Sequence, residues 1–73
     1  MINDLNLIDS KLSIVKKVAT LTFCRNDIRN ALTGSNLIDD IVNTINFVNK
    51  NDNISVLIFT GEGRVFSSGG NIK

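Results

Sequence analysis

Ile54 to Lys73 reads ISVLIFTGEGRVFSSGGNIK, and this stretch decides how the remainder of the chain is understood. Val56-Leu57-Ile58-Phe59 is a short apolar run with polar residues before it and glycines after it, the pattern of a buried strand. The segment that follows holds four of the five glycines, Gly61, Gly63, Gly69 and Gly70. A strand that empties into such a loop presents main-chain groups at its carboxyl end. Adjacent Gly69 and Gly70 carry no Cβ and tolerate backbone angles closed to other residues, so a ligand can approach their N–H groups. The expected site is a binding geometry made of backbone.

Upstream of this strand, Asn49 to Asn53 is a polar turn, and before it the hydrophobic period changes. From Ser35, Leu37, Ile41, Ile45 and Val48 recur at spacings of four and three, Ile38 and Val42 widen the stripe, and Asn43, Thr44 and Asn46 lie opposite, which predicts an amphipathic helix ending near Asn49. Thr33 or Ser35 is its expected cap; Asp39 and Asp40 suit the positive end of the helix dipole and Lys50 the other. Adjacent residues on a helix diverge by about 100°, so Asp39 and Asp40 read as a solvated helix start rather than an acid–base pair.

Cys24 to Leu32, CRNDIRNAL, has no helical stripe and reads as a loop at a strand end. Its arginines are either solvated or a wall for an anionic ligand. Leu12-Ser13-Ile14 and Val18 to Phe23 are β-favouring runs that predict a hairpin, with Ala19, Leu21 and Phe23 on one face of the second strand and Val18, Thr20 and Thr22 on the other. Val15-Lys16-Lys17 contains no glycine, so the turn type stays open. Residues 1–10 are expected to be a frayed lead-in or a first edge strand, and residues 11–73 the folded unit.

Strand, helix, strand in this order is a crossover unit of the α/β class, which makes the two strands parallel and places the helix on one face. Ligands of such sheets gather at the strands' carboxyl ends. Both CRNDIRNAL and GEGRVFSSGG leave from that end, so the two loops are expected to be neighbours around one site.

Composition bounds the partners. A chain of 73 residues with 42% hydrophobic and 21% charged residues is ordinary globular sequence, but at this size folding buries only about 60% of the unfolded surface, so independent stability is marginal. A net charge of +1 gives no electrostatic case for nucleic acid or an anionic membrane. No apolar run approaches the roughly 20 residues of a membrane helix, and the acidic, Asn-containing start does not resemble a signal peptide. The expected location is cytoplasmic, with the mitochondrial matrix or peroxisome as alternatives. Cys24 is the only cysteine and there is no histidine, so an internal disulfide, zinc site or thiol–imidazole pair is ruled out, and Cys24 reads as a small buried apolar residue.

The remaining motifs are weighed against the glycine loop. Gly61-Glu62-Gly63 begins like a dinucleotide fingerprint, but Phe66 occupies the position of the third glycine, and no Gly-Lys-Ser/Thr triplet makes a Walker loop. Ser67 and Ser68 have no histidine to serve as base. What remains is a backbone donor site at Gly69-Gly70, of the kind that stabilises an oxyanion, beside the plainer reading of a glycine-rich turn without a ligand.

Over Leu12 to Lys73 the chain resembles the N-terminal part of the crotonase superfamily, the enoyl-CoA hydratase/isomerase family. RNDIRNAL, Arg25 to Leu32, is similar to the family's R-P-x-x-x-N-A-L, and TGEGRVFSSGGNIK, Thr60 to Lys73, is similar to T-G-x-G-x-x-F-S-A-G-G-D-L-K. The resemblance implies a truncated β-β-α-β portion of a crotonase-type spiral fold that binds acyl-CoA thioesters and holds the thioester oxygen by two backbone N–H groups. Gly70 takes the position of one donor. Ser68, Gly69, Gly70, Asn71 and Ile72 fall on the segment lining the acyl-CoA site, Arg29 and Ala31 on the loop flanking the CoA arm, and Phe66 reads as a packing anchor. The departures from the pattern include Asn26 for the proline, Ser68 for an alanine and Asn71 for an aspartate, which puts a charge-dependent role at Asn71 in doubt.

The resemblance implies no cofactor beyond coenzyme A as part of the substrate, no metal, and a partner in a complementary C-terminal chain or a trimeric or hexameric homo-oligomer. The second oxyanion donor and the catalytic carboxylates are expected beyond Lys73. Losing one donor typically costs about 2.7–4 kcal/mol in activation free energy, so the chain alone is expected to be inactive. The alternative expectation is a non-catalytic binding or assembly module that docks on a complementary chain.

Overall fold

The computed structural model describes residues 5–69. Within them the elements run in the expected order. Two strands, β1 (Ser10–Val15) and β2 (Val18–Phe23), form the hairpin; a short 3-10 turn (Asn26–Ile28) follows; then come the helix α1 (Leu37–Asn49) and a third strand, β3 (Val56–Gly61). The sheet order is β1-β2-β3, with β2 antiparallel to β1 and parallel to β3. Val15 pairs with Val18, so Lys16 and Lys17 alone make the hairpin turn, and Lys16 takes the left-handed backbone, at φ 57°, that the right-handed strand twist demands of a two-residue connection.

Register fixes the faces. Leu12 lies opposite Leu21, and Leu21 opposite Phe59, so these residues share the sheet face on which α1 packs. Ala19, Leu21, Phe23 and Leu37 are the buried apolar residues, and Leu7, Leu12, Leu32 and Ile41 pack around the Leu21–Phe23–Leu37 centre. The alternation expected of β2 is therefore present, with Ala19, Leu21 and Phe23 inward.

β3, expected to be a buried strand, instead leaves Val56, Ile58 and Phe59 exposed because α1 packs chiefly against β1 and β2, and two expectations for the helix are also corrected. The helix does not bury its apolar stripe symmetrically: Ile38, Val42 and Ile45 are exposed, while Thr44, expected on the polar side, is fully buried and donates its hydroxyl to the Asp40 carbonyl at 2.7 Å. Asp40 is not a solvated helix-start residue either. It is 1% exposed, and its carboxylate accepts from the Ile8 amide (3.1 Å), the Asp9 amide (2.8 Å) and the Ser10 hydroxyl (2.6 Å). At Asp40 the physical reason lies outside the helix. The segment entering β1 brings buried backbone donors against the helix start, and these require an acceptor more than the helix requires another buried isoleucine. Asp39, one position away, is exposed as expected.

The clasp is reciprocal. Asp9, also buried, accepts the Asn36 amide at 2.6 Å, so each segment caps donors of the other. Asn36, rather than Thr33 or Ser35, is the residue at the cap position, but its side chain makes no capping bond; the Ser35 hydroxyl instead accepts the Leu37 amide at 3.3 Å. At the far end the Lys50 amide donates to the carbonyls of Phe47 and Val48.

Candidate functional site

The loops that follow β2 and β3 meet at the carboxyl end of the parallel pair, and one residue joins them. Asn30 is completely buried and has φ 55°. Its Oδ1 accepts the Arg25 amide at 2.8 Å, and its Nδ2 donates to the Glu62 carbonyl at 3.1 Å and the Val65 carbonyl at 2.9 Å. The Asn30 carbonyl in turn accepts the Ser67 hydroxyl at 2.8 Å. From there the two segments run side by side: the Ser68 amide donates to the Arg29 carbonyl at 2.9 Å, and the Leu32 amide to the Gly69 carbonyl at 3.0 Å. The expected neighbourhood of the two loops is thus present, held by main-chain bonds, one amide side chain and the Ser67 hydroxyl.

Gly61 is required by this closeness. A Cβ there would stand 2.5 Å from the Phe66 carbonyl oxygen and 2.7 Å from Asn30 Nδ2, both inside contact distance. Gly69 meets the opposite condition: at φ 86° its side-chain direction has no atom of the described residues within 4 Å. Its amide donates to the Ser67 hydroxyl at 3.0 Å.

Beside Gly69 lies an open apolar hollow of about 360 Å³, lined by Phe23, Leu32, Ile41, Phe59, Phe66 and Ser67. Phe66 stacks on Phe23 with ring centroids 5.2 Å apart, and Phe59 stacks on Phe23 at 6.2 Å. Phe66 therefore packs the loop against the core while remaining half-exposed at the hollow.

The charges nearby are committed to structure. Arg25 forks onto Asp27 (Nε to Oδ1 3.0 Å, Nη2 to Oδ2 3.1 Å) and reaches Asp9 at 3.2 Å. The hydrogen bonds it donates to Asp27 first and to Asp9 second strengthen its hold on its proton, and the same Arg25 contact lowers the Asp27 carboxyl below its usual range. Asp9 is lowered as well, chiefly by the Asn36 amide, with burial opposing and Arg25 assisting. Arg25 is thus a brace, whereas Arg29 is exposed beside the Ser68 contact, the better placed of the two for an anion. Cys24 is half-buried rather than buried, and its thiol lies 3.4 Å from the Thr22 carbonyl. Burial, followed by the charge of Glu62, raises its pKa, which leaves a protonated, weakly nucleophilic thiol at neutral pH.

Of the residues expected at the site, Arg29, Ala31, Ser68 and Gly69 are brought together; Gly70, Asn71 and Ile72 lie outside the described residues. Asn30 was legible only as a letter of the RNDIRNAL motif. Its signal in the sequence is an asparagine, a residue that tolerates the left-handed backbone, placed just ahead of the buried-type pair Ala31-Leu32. Among the described residues no cluster of three or more His, Cys, Asp or Glu could hold a metal ion, and no helix is long and apolar enough to cross a membrane.

No family model and no curated protein sequence matches the chain. Solved structures do. An enoyl-CoA hydratase from Mycobacterium tuberculosis H37Rv matches with a TM-score of 0.79 and 31% identity, over 88% of this chain and 28% of that one. An enoyl-CoA hydratase/isomerase from Mycobacterium paratuberculosis matches with 0.81 and 29%, over 89% and 25%. The chain has the N-terminal part of the crotonase fold. A third crotonase-fold match is methylmalonyl CoA decarboxylase complexed with 2S-carboxypropyl CoA, with a TM-score of 0.77 and 25% identity over 90% of this chain and 25% of that one. The chain thus spans little more than a quarter of the length of these crotonase-fold structures.

Proposed function

We propose that the chain is the N-terminal segment of an enoyl-CoA hydratase/isomerase-like enzyme that binds an acyl-CoA thioester and stabilises its enolate through a backbone oxyanion hole. The observation that carries this reading is the junction at Asn30, which sets the Arg29–Ala31 loop against Ser68 and Gly69 at the mouth of an apolar hollow. In this reading the CoA arm runs along Arg29 and Ala31, and Ser68, Gly69, Asn71 and Ile72 line the thioester. The acyl group turns toward Phe23, Leu32, Phe59 and Phe66. The Gly70 N–H donates to the thioester oxygen, which gains charge as the neighbouring carbon loses its proton. A fixed donor aimed at that oxygen costs no reorganisation during the reaction. Binding of 2S-carboxypropyl CoA by the similar decarboxylase supports a CoA derivative as the ligand class.

The test is calorimetric titration of the purified chain with crotonyl-CoA, beside a hydration assay and a circular dichroism melt. Saturable binding without turnover is the expected result. A cooperatively melting chain that binds no CoA thioester overturns the reading, and clear turnover overturns the assignment of the proton-transfer groups to the remainder of the enzyme.

The exposed row Ile38, Val42 and Ile45, with Val56 and Ile58 exposed on the sheet, favours a second reading, a non-catalytic module that docks on a complementary chain. Absence of thioester binding together with a melting temperature raised by a polypeptide supplying the rest of the fold supports that alternative.

A further inference from the structure

We infer that Asn30 is the positioning residue of the glycine loop, setting the direction in which the loop's terminal amides point; this rests on the functional reading above. Two requirements coincide at this position. The backbone is left-handed at φ 55°, which glycine, asparagine and aspartate tolerate and most other residues do not. The side chain must also supply two hydrogens, because Nδ2 serves the carbonyls of both Glu62 and Val65. Glycine meets only the first requirement. Aspartate meets the first and keeps the acceptor for the Arg25 amide, but turns its second oxygen toward both carbonyls. Asparagine alone of the three meets both.

The control extends along the chain. The Asn30 amide and Oδ1 are tied to Arg25, at 2.7 Å to its carbonyl and 2.8 Å to its amide, so Asn30 is itself anchored to the preceding loop. Its carbonyl receives the Ser67 hydroxyl, and the same hydroxyl accepts the Gly69 amide. Glu62, Val65, Ser67 and Gly69 are thereby all referred to one buried side chain and its backbone. The strands do not depend on it, since β2 and β3 pair through their own main chains from Val18–Val56 to Phe23–Gly61. Asn30 therefore acts on the loop through Ser67 and the two carbonyls, and on a bound thioester only through the loop.

The experiment compares Asn30→Asp and Asn30→Gly with the parent chain by amide hydrogen exchange and by crotonyl-CoA titration. The expected result is exchange at Ser68 and Gly69 faster by about tenfold or more in both variants, because the half-buried carbonyls of Glu62 and Val65 lose their donor, while Leu21 and Phe23 in β2 change by less than about twofold. Affinity for crotonyl-CoA falls by about tenfold in parallel. Unchanged exchange at Ser68 and Gly69, or no protection there in the parent, overturns the inference. Equal acceleration in β2 overturns it too, since Asn30 would then support the whole fold. So does a released loop that binds crotonyl-CoA as tightly as before. If the parent binds no crotonyl-CoA, the functional reading fails, and the exchange data still decide whether Asn30 holds the loop.

Discussion

Replacing Asp40 by alanine tests the clasp between the lead-in and the helix. The substitution removes the acceptor of three donors: the amides of Ile8 and Asp9 and the hydroxyl of Ser10. Ile8 is exposed and Ser10 half-exposed, so water can reach their donors, but the Asp9 amide belongs to a buried residue and stays unpaired. A hydrogen bond to a charged group is worth about 1.5–3 kcal/mol, and an unpaired buried donor costs about 1–3 kcal/mol, so the expected loss is about 3 kcal/mol. A folded chain of this length has on the order of 4–11 kcal/mol in total. For a domain this small, that loss lowers the melting temperature by roughly 12–24 °C. Asp39→Ala is the internal comparison: the side chain is exposed at the helix start, where a carboxylate contributes under about 1 kcal/mol. Circular dichroism melts and urea titrations of the two variants give the answer. An Asp40→Ala chain melting within about 3 °C of the parent, or an Asp39→Ala chain destabilised as much, refutes the reasoning.

Three further outcomes are expected. The Asp9 carboxyl is held below its ordinary 3.8 in the folded chain, so its contribution to stability is complete above that value and is lost as pH falls through the lowered folded value; melts from pH 7 to pH 2 show this loss, and Asp9→Asn removes that component of the acid dependence. Gly61→Ala puts a methyl against the Phe66 carbonyl and the Asn30 amide, and should cost about 1–3 kcal/mol by urea titration. The Cys24 thiol, raised above its ordinary 9.0 by burial, should be alkylated by iodoacetamide at pH 7.5 more slowly than a free cysteine, with the rate climbing only in the alkaline range.

The strands and the helix were legible because period is a local property. The alternation of Ala19, Leu21 and Phe23 and the four-three spacing from Leu37 to Val48 follow from how each element alone separates apolar from polar groups. The meeting of the two loops was legible from topology, since a crossover places both at one end of the sheet. The burial of Asp40 was not, because it depends on donors delivered by residues some thirty positions earlier in the chain. Spacing along α1 ranks side chains by polarity and contains no information about an unpaired amide arriving from elsewhere. Asn30 escaped notice for the same reason: its partners Glu62 and Val65 are remote in sequence, and its left-handed backbone leaves no periodic trace.

The pairing of β2 with different kinds of neighbour also orders the assembly of the molecule in time. Its contacts with β1 close across two residues, Lys16 and Lys17, which is microsecond chemistry for a hairpin. Its contacts with β3 close only after the whole of α1 has been looped back, and the entropy of that closure is spent before any parallel bond repays it. The glycine loop hangs from β3, and its ties to Asn30 become possible only once β3 has docked. Until that last step, the carboxyl end of β2 carries one loop without its companion. The junction of the two loops at Asn30 is thus the final part of the chain to take shape, and a substitution that slows β3 docking delays that junction without disturbing the hairpin.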